Sequence, residues 1–181
     1  SYVVAVSDVK MTDSCGYEEE RFDESGLAKQ TADILHRENR RCLITPEMYF
    51  EIVPYVMYEM EQPLADASAI AFAIACRETA KHTKICYSGE GSDEFFGGYN
   101  MYRNATWYGD NLKTFYVGNT NIMKEDEKKR ILKHYNENVL PIHLVKDIYE
   151  EIEGLDPLSK MSNIDIQIWL EGDIYLNVDK M

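Results

Sequence analysis

The sequence predicts an α/β protein, with a parallel sheet and flanking helices followed by a helical region. Short apolar segments alternate with helical patterns through about residue 100. From about residue 101 to 181 the helical patterns continue and the strand patterns stop. A glycine-rich acidic loop also lies between an apolar segment and a helix start, as in many parallel α/β sheets. We therefore expect an α/β part over about residues 1–100 and a mainly helical part over about 101–181.

The composition narrows the class of protein. The chain has 181 residues, of which 45% are hydrophobic, so it can form a core of ordinary size. Its net charge of −13 disfavours nucleic acid and anionic membrane surfaces as partners, and no apolar run is long enough to cross a bilayer. None of the four cysteines is spaced as CxxC, so neither a zinc knuckle nor a redox pair is indicated. We expect no nucleic-acid or membrane partner and a cytoplasmic location.

Three short apolar runs predict strands. Tyr2–Val6 is rich in β-branched residues and predicts a buried strand, Arg41–Ile44 predicts a second, and Ile85–Tyr87 predicts a third in the sheet interior. The segment Asp13–Arg21 is polar and is expected to be irregular. Because helices separate these runs, the strands are expected to pair in parallel.

Helices are predicted where apolar spacing follows a capping residue. Asp23 and Thr45 are candidate N-caps, and Pro46 would occupy the first helical position after Thr45. The predicted helices are Asp23 to about Arg37, Pro46–Met60, Asp66–Lys81, Lys124–Glu137, Leu144–Ile152 and Ile164–Val178.

The segment Ser88–Tyr99, SGEGSDEFFGGY, carries the strongest indication of chemistry. Glycine-rich loops after a strand usually bind phosphate through backbone N–H groups, yet this one contains Glu90, Asp93 and Glu94. Carboxylates at a strand end can hold Mg²⁺, which in turn holds phosphates, so a nucleotide site that includes a metal is predicted. The alternative is that the acids only favour a helix dipole and a serine caps the helix.

This segment closely resembles the SGEGxDExFxGGY-type signature of the asparagine synthetase family, in its synthetase domain. Phe22–Ser25 resembles the family's YDES text, and Trp169–Met181, WLEGDIYLNVDKM, is similar to its WLxxDxLxxxDxxSM stretch. The resemblance spans most of the chain. It implies a partial synthetase domain over residues 1–181, with an adenine nucleotide alpha hydrolase-like fold of the ATP pyrophosphatase type.

The resemblance also implies a reaction. Members of the family activate aspartate with Mg-ATP as an acyl-adenylate and release pyrophosphate, and ammonia from glutamine then attacks to give asparagine and AMP. The cofactors implied are ATP and Mg²⁺. By the same resemblance Ser88 and Gly89 contact the nucleotide, Asp93 holds Mg²⁺ or its water shell, and Glu90 faces the adenylate and the ammonia.

Three further residues are implied by looser alignment. Val6 would touch the adenine edge through its backbone, and Asp173 and Lys180 would bind the substrate. The alternative for the last two is a solvated helix end. The implied partners are aspartate and ammonia, the latter from a glutaminase domain outside this chain, and a homodimer is a possible assembly.

The family's SGGxDS loop, which would lie before Ser1, and its amino-terminal glutaminase are not among these residues. We therefore expect an internal fragment that is inactive alone. Two rival interpretations stay open. One is a related synthetase that forms a different amide or a lactam, and the other is a catalytically idle domain kept for binding or assembly.

Overall fold

The computed structural model describes residues 2–61, 66–103, 105, 116–118 and 123–181. The chain divides into two compact units, one formed by Ser1–Tyr87 with Asp179–Met181 and the other by Ser88–Val178. Helices combine with a small parallel sheet of two strands, which is compatible with the predicted α/β class. Among the described residues, no helix is both long and apolar enough to cross a membrane.

The first unit is built around a two-stranded parallel sheet. Met11 lies opposite Glu38 and Tyr17 opposite Ile44, with one helix as the crossover between the strands. The elements of this unit are α1 (Tyr2–Val6), β1 (Met11–Tyr17), a 3₁₀ turn (Glu20–Phe22), α2 (Ser25–Ile34), β2 (Glu38–Ile44), α3 (Pro46–Met60) and α4 (Ser68–Ala80).

Local signals place the helix starts of this unit. Thr45 Oγ1 accepts a hydrogen bond from the Met48 backbone N–H at 3.3 Å, and Pro46 is the first helical residue, so the predicted cap of α3 is confirmed. The Asp23 carboxylate accepts from the Ser25 N–H at 3.0 Å, but α2 begins at Ser25 and Glu24 occupies its N-cap position, so the predicted cap at Asp23 is wrong by one residue. Helices α3 and α4 pack against each other. Both contribute to the core, whose buried residues include Ile52, Val56, Met60, Ile70 and Ile74.

Two strand predictions are wrong. Tyr2–Val6 forms the short helix α1, and Val6 is 64% exposed. Ile85–Tyr87 forms no strand, and the side chains of Ile85 and Tyr87 are 79% and 75% exposed. The physical reason is pairing: a strand needs a neighbouring backbone, and the sheet of the described residues contains only β1 and β2.

The sequence also missed a strand. Met11–Tyr17 pairs along its whole length, although Asp13–Arg21 was expected to be irregular. Its polar residues are bonded across the ladder, because Arg40 donates to Asp13 and Ser14 Oγ donates to Asn39. A half-exposed strand can therefore be polar when its cross-strand neighbours are complementary.

The second unit is helical in its described part. Its elements are α5 (Ser92–Phe96), α6 (Glu125–Ile131), α7 (Ile142–Glu151), α8 (Pro157–Ile164), a π-helix (Asp165–Ile174) and most of α9 (Tyr175–Lys180). The last three run without a break, so the predicted helix Ile164–Val178 lies inside a longer one. Helix α6 ends at Ile131, earlier than the expected Glu137. One apolar cluster of this unit contains Val145, Ile148, Ile152 and Ile164, and another contains Tyr102, Ala105 and Met161.

Candidate functional site

The loop that carries the predicted site begins with a tight turn at two glycines. The Ser92 hydroxyl donates to the Gly89 carbonyl at 2.6 Å, and the Ser92 N–H donates to the same carbonyl at 3.2 Å. Gly91 has φ of +85°, a left-handed conformation that favours glycine, and a Cβ there would lie 3.3 Å from Leu170 Cδ1. Ser88, Gly89 and Glu90 are exposed before this turn. The helix start that the sequence indicates after the glycine-rich acidic loop lies at Ser92.

A second glycine turn fixes the carboxylate of Asp93. The Gly98 N–H donates to the Asp93 carbonyl at 2.9 Å after Gly97 has turned the chain with φ of +69°. A Cβ at Gly98 would overlap Asp93 Oδ1, so the carboxylate lies directly against the Gly98 backbone. The absence of a side chain at Gly98 therefore makes space for the Asp93 carboxylate.

The structure separates the three acids that the sequence groups together. Glu90 and Asp93 are exposed, whereas Glu94 is 0% exposed. The Tyr99 hydroxyl donates to Glu94 Oε1 at 2.6 Å, and the Trp169 indole N–H donates to the Tyr99 oxygen at 3.4 Å. Burial and the bond to Glu94 raise the pKa of Tyr99. Glu94 is thus a structural anchor of the loop, and the two other acids face solvent.

A second buried acid, Asp165, was not singled out in the sequence. It is fully buried and accepts hydrogen bonds from the hydroxyls of Tyr102, at 2.6 Å, and Tyr116. Burial, followed by the bond to Asp165, raises the pKa of both tyrosines. The signal that could have indicated its burial is its position between the apolar residues Ile164 and Ile166.

The π-helix Asp165–Ile174 carries several of the polar residues behind the loop. Asp165, Trp169 and the predicted substrate residue Asp173 all lie on it, and Asp173 is buried. Asn177 follows on α9 and is also buried. Segments of π-helix are rare and often occur at functional sites.

Two predicted site residues belong to the first unit. Val6 lies on α1 and Lys180 near the end of the chain. The Lys180 ammonium pairs with Glu61 Oε2 at 2.9 Å, and this hydrogen bond raises the pKa of Lys180. Ser88, Gly89, Glu90 and Asp93 are brought together on one loop of the second unit.

The donor chemistry of the loop fits Mg²⁺. Among the described residues, no three or more His, Cys, Asp or Glu side chains form a ready-made metal cluster. Mg²⁺ usually takes only one or two protein carboxylates and completes its shell with water and substrate phosphates. The exposed carboxylate of Asp93, held against the Gly98 backbone, supplies a hard oxygen donor of this kind.

Comparison with known proteins gives a consistent result. The model of the family described as asparagine synthase matches residues 5–181. The chain is 34% identical to "Asparagine synthetase [glutamine-hydrolyzing] 1" of Bacillus subtilis (strain 168), over 94% of this chain and 32% of that protein. It is 24% identical to "Putative asparagine synthetase [glutamine-hydrolyzing]" of Mycobacterium bovis, over 94% of this chain and 31% of that protein.

Another relative, which matches a shorter part of the chain, has a different name. Over 45% of this chain and 12% of the relative, the sequence is 34% identical to "Amidase chry2" of Gibberella zeae. The chain spans about a third of the length of the asparagine synthetases that it matches. No solved structure matches the chain significantly.

Proposed function

Because the chain belongs to the asparagine synthase family, we propose that it is part of an ATP-dependent ligase that converts aspartate to asparagine. ATP would activate the aspartate carboxylate as an acyl-adenylate with release of pyrophosphate. Ammonia from glutamine would then attack the acyl carbon and release AMP. The observation that carries the proposal is the loop Ser88–Tyr99, which presents two exposed carboxylates on a glycine-rich turn anchored by a third, buried one.

Asp93 is proposed to hold Mg²⁺, and Ser88 and Gly89 to contact the nucleotide. Bound Mg²⁺ would neutralise the charge that concentrates on the departing pyrophosphate. The position of the Asp93 carboxylate against the Gly98 backbone supports this role, because it limits the side chain's freedom without burying it. The exposed turn at Gly89 leaves backbone accessible to a phosphate-bearing ligand.

Glu90 is proposed as the catalytic residue. A carboxylate beside the adenylate can orient ammonia or accept a proton from the attacking amine. Its exposed position three residues before Asp93 is compatible with such a role. Asp173 and Lys180 are proposed to bind aspartate and Val6 to line the adenine, on the weaker ground of the terminal family-like stretch and the first segment.

We also propose a fold, a source of ammonia, a location and an assembly for the whole protein. We propose an adenine nucleotide alpha hydrolase-like fold for the whole synthetase domain, of which this chain would be a part. The ammonia would come from a glutaminase domain, in line with the glutamine-hydrolysing names of the relatives. A cytoplasmic location and a homodimer belong to the same proposal.

A second candidate is a related ligase that forms another amide. This alternative is raised by a match over nearly half of the chain to a relative whose name, amidase, refers to amides in general and not to asparagine. The loop chemistry would be the same, and the carboxylate that is activated would differ. Offering the full-length protein a panel of amino-acid and peptide carboxylates, with pyrophosphate release as the readout, separates the two candidates.

The test of the loop uses Asp93→Asn and Glu90→Gln in the full-length gene product. If Asp93 serves the metal, Asp93→Asn weakens Mg²⁺-dependent pyrophosphate release, because a neutral amide is a poorer ligand for a hard cation. If Glu90 serves the adenylate or the ammonia, Glu90→Gln retains ATP binding and lowers asparagine formation by about 10²–10⁴-fold.

The matched control is Asp126→Asn, which removes an exposed carboxylate from the first turn of α6. It should leave both products unchanged. Wild-type activity in both loop variants, with only a lower melting temperature, would reduce the acids to helix-dipole partners. Absence of activity in the wild-type full-length protein would favour an idle domain.

A further inference from the structure

A series of two side-chain hydrogen bonds connects the acidic loop to the π-helix. It runs from the Trp169 indole on the π-helix to the Tyr99 hydroxyl, and from there to Glu94 Oε1 on α5. The other carboxylate oxygen, Oε2, is buried and has no hydrogen-bond partner among the described residues. The hydrogen bonding of this carboxylate within the described residues therefore depends on the Tyr99 hydroxyl.

Helix α5, which carries Glu94, depends on contacts with the rest of its unit for its position. Helix α5 has five residues, which is too short to be stable without tertiary contacts. Its contacts to the rest of the unit include the Glu94–Tyr99 bond, the bond from Ser162 Oγ to the Glu94 carbonyl, and the approach of Leu170 to Gly91. Because Glu94 follows Asp93 directly on this short helix, a shift of the helix backbone at Glu94 also shifts the Asp93 Cα and the carboxylate that it carries.

We propose that Tyr99 is a positioning residue, whose hydroxyl couples the acidic loop to the π-helix and so sets the position of Asp93 and Glu90. Its effect on activity rests on the proposed function, whereas its effect on the loop does not. Tyr99 touches the buried acid rather than the exposed ones, so it acts through Glu94.

The competing explanation is ordinary packing. The Tyr99 ring lies edge-on to the Tyr102 ring, with 5.6 Å between the centroids and 62° between the planes. Tyr99→Phe retains that ring and removes only the hydroxyl. Tyr102→Phe is the matched control: it also removes one hydroxyl from a fully buried carboxylate, that of Asp165, which keeps Tyr116 as a donor.

The first measurement is backbone hydrogen exchange of residues 88–98 in the full-length protein. Loss of a donor that leaves a buried acceptor unsatisfied is expected to speed exchange in Tyr99→Phe about tenfold, while Tyr102→Phe leaves this segment unchanged. Glu94→Gln keeps a side-chain carbonyl that can accept from Tyr99 and should stay near the wild-type rate. Glu94→Leu should resemble Tyr99→Phe. Wild-type exchange in Tyr99→Phe, or equal acceleration in Tyr102→Phe, would overturn the coupling.

The second measurement is the Mg²⁺ and ATP dependence of pyrophosphate release per folded enzyme. Tyr99→Phe should lower kcat/KM about tenfold, through a displaced Asp93, and Tyr102→Phe should match the wild type. Faster exchange combined with wild-type kinetics in Tyr99→Phe would overturn the positioning role. If the wild-type protein releases no pyrophosphate, the proposed function fails, and the exchange experiment still decides whether Tyr99 holds the loop.

Discussion

The two units of the chain differ in whether they bury acidic residues, although both carry surface ion pairs, such as that of Lys128 and Glu125 in the second unit. In the first unit Asp13 pairs with Arg40 and Asp23 pairs with Arg41, and all four side chains are partly exposed. In the second unit Glu94 and Asp165 are 0% exposed and take tyrosine hydroxyls as donors. The choice of donor follows the burial of the acid.

The physical reason is the cost of removing charges from water. A guanidinium at the surface keeps most of its hydration while it pairs with a carboxylate, but burying both groups costs several kcal/mol per ion. A tyrosine hydroxyl is neutral, so it can be buried at much lower cost and still donate a short bond to the acid. The stability of the second unit should therefore depend strongly on a few buried groups. The stability of the first unit should depend on many weak surface interactions.

The largest expected effect of this difference is loss of the second unit at alkaline pH. Burial raises the pKa of Tyr149 to about 12 from an ordinary value of 10.0, and the pKa values of Tyr99, Tyr102 and Tyr116 are also raised, with burial as the largest cause. The unfolded chain loses these protons near pH 10, before the folded unit does. Their contribution to stability is therefore full below pH 10 and is lost as the pH rises toward 12 and beyond.

Circular dichroism and tyrosinate absorbance, recorded together, measure this effect. Tyr149→Phe, which removes a hydroxyl that donates to the Tyr116 carbonyl at 2.8 Å, should flatten the pH dependence. Helical signal that persists after all tyrosines have ionised would contradict this difference between the units, because the buried hydroxyls would then not contribute to stability. The raised pKa of Tyr17 in the first unit provides an internal reference.

The next effect in size is that of Asp165→Ala. It leaves two tyrosine hydroxyls without their acceptor, and leaving a buried polar group unsatisfied costs about 1–3 kcal/mol. Since the two bonds share one acceptor, we expect a loss of roughly 3 kcal/mol in the free energy of unfolding. Urea unfolding followed by tryptophan fluorescence measures it. Asp13→Ala in the first unit should cost far less, and equal losses would contradict the distinction between the units.

Local signals in the sequence were sufficient for several elements. Thr45 and Pro46 specify the start of α3, and the glycine and acidic pattern specifies the start of α5 at Ser92. These features depend on neighbours within four residues, so the sequence contains all that is needed. Strands do not have this property, because Tyr2–Val6 and Ile85–Tyr87 are apolar enough for a sheet but have no partner strand in the described structure.

In the candidate site, too, features that depend on distant parts of the chain could not be predicted from the sequence. Sequence reasoning found Glu90, Asp93 and Glu94 but could not tell which of them is buried. That distinction depends on Tyr99 and on Trp169, which lies 70 residues beyond Tyr99 in the sequence. Contacts at such separations leave no periodic pattern, so Asp165 and its tyrosines could not be paired from the sequence either.

A smaller effect is expected at the helix caps. Thr45→Ala removes the acceptor for the Met48 N–H and should lower stability by about 1 kcal/mol, while Thr45→Ser should leave it unchanged. Asp156, whose carboxylate accepts from the Ser159 N–H at 3.1 Å, caps α8 in the second unit, and Asp156→Ala should have a similar effect. Thermal melts of the three variants measure these changes in stability. If the caps differ strongly between the units, buried acids alone do not explain the contrast.

The smallest effect is expected at the ion pair between Asp13 and Arg40. Arg40 Nε and one terminal guanidinium nitrogen donate to the two Asp13 oxygens at 2.7 and 2.9 Å, but the side chains keep 26% and 31% of their exposure. Exposed pairs contribute about 0.2–1 kcal/mol, and this one should lie in that range because its geometry is bidentate and its charges are only partly hydrated. A double-mutant cycle with Arg40→Gln and Asp13→Asn measures the coupling, which should fall as salt screens the charges. The pair of Arg21 and Glu19, at 3.4 Å and with both side chains more than 60% exposed, is the control and should show no coupling. A salt-independent coupling of about 3 kcal/mol or more would place Asp13 in the class of buried, tightly held acids and remove the difference between the two units.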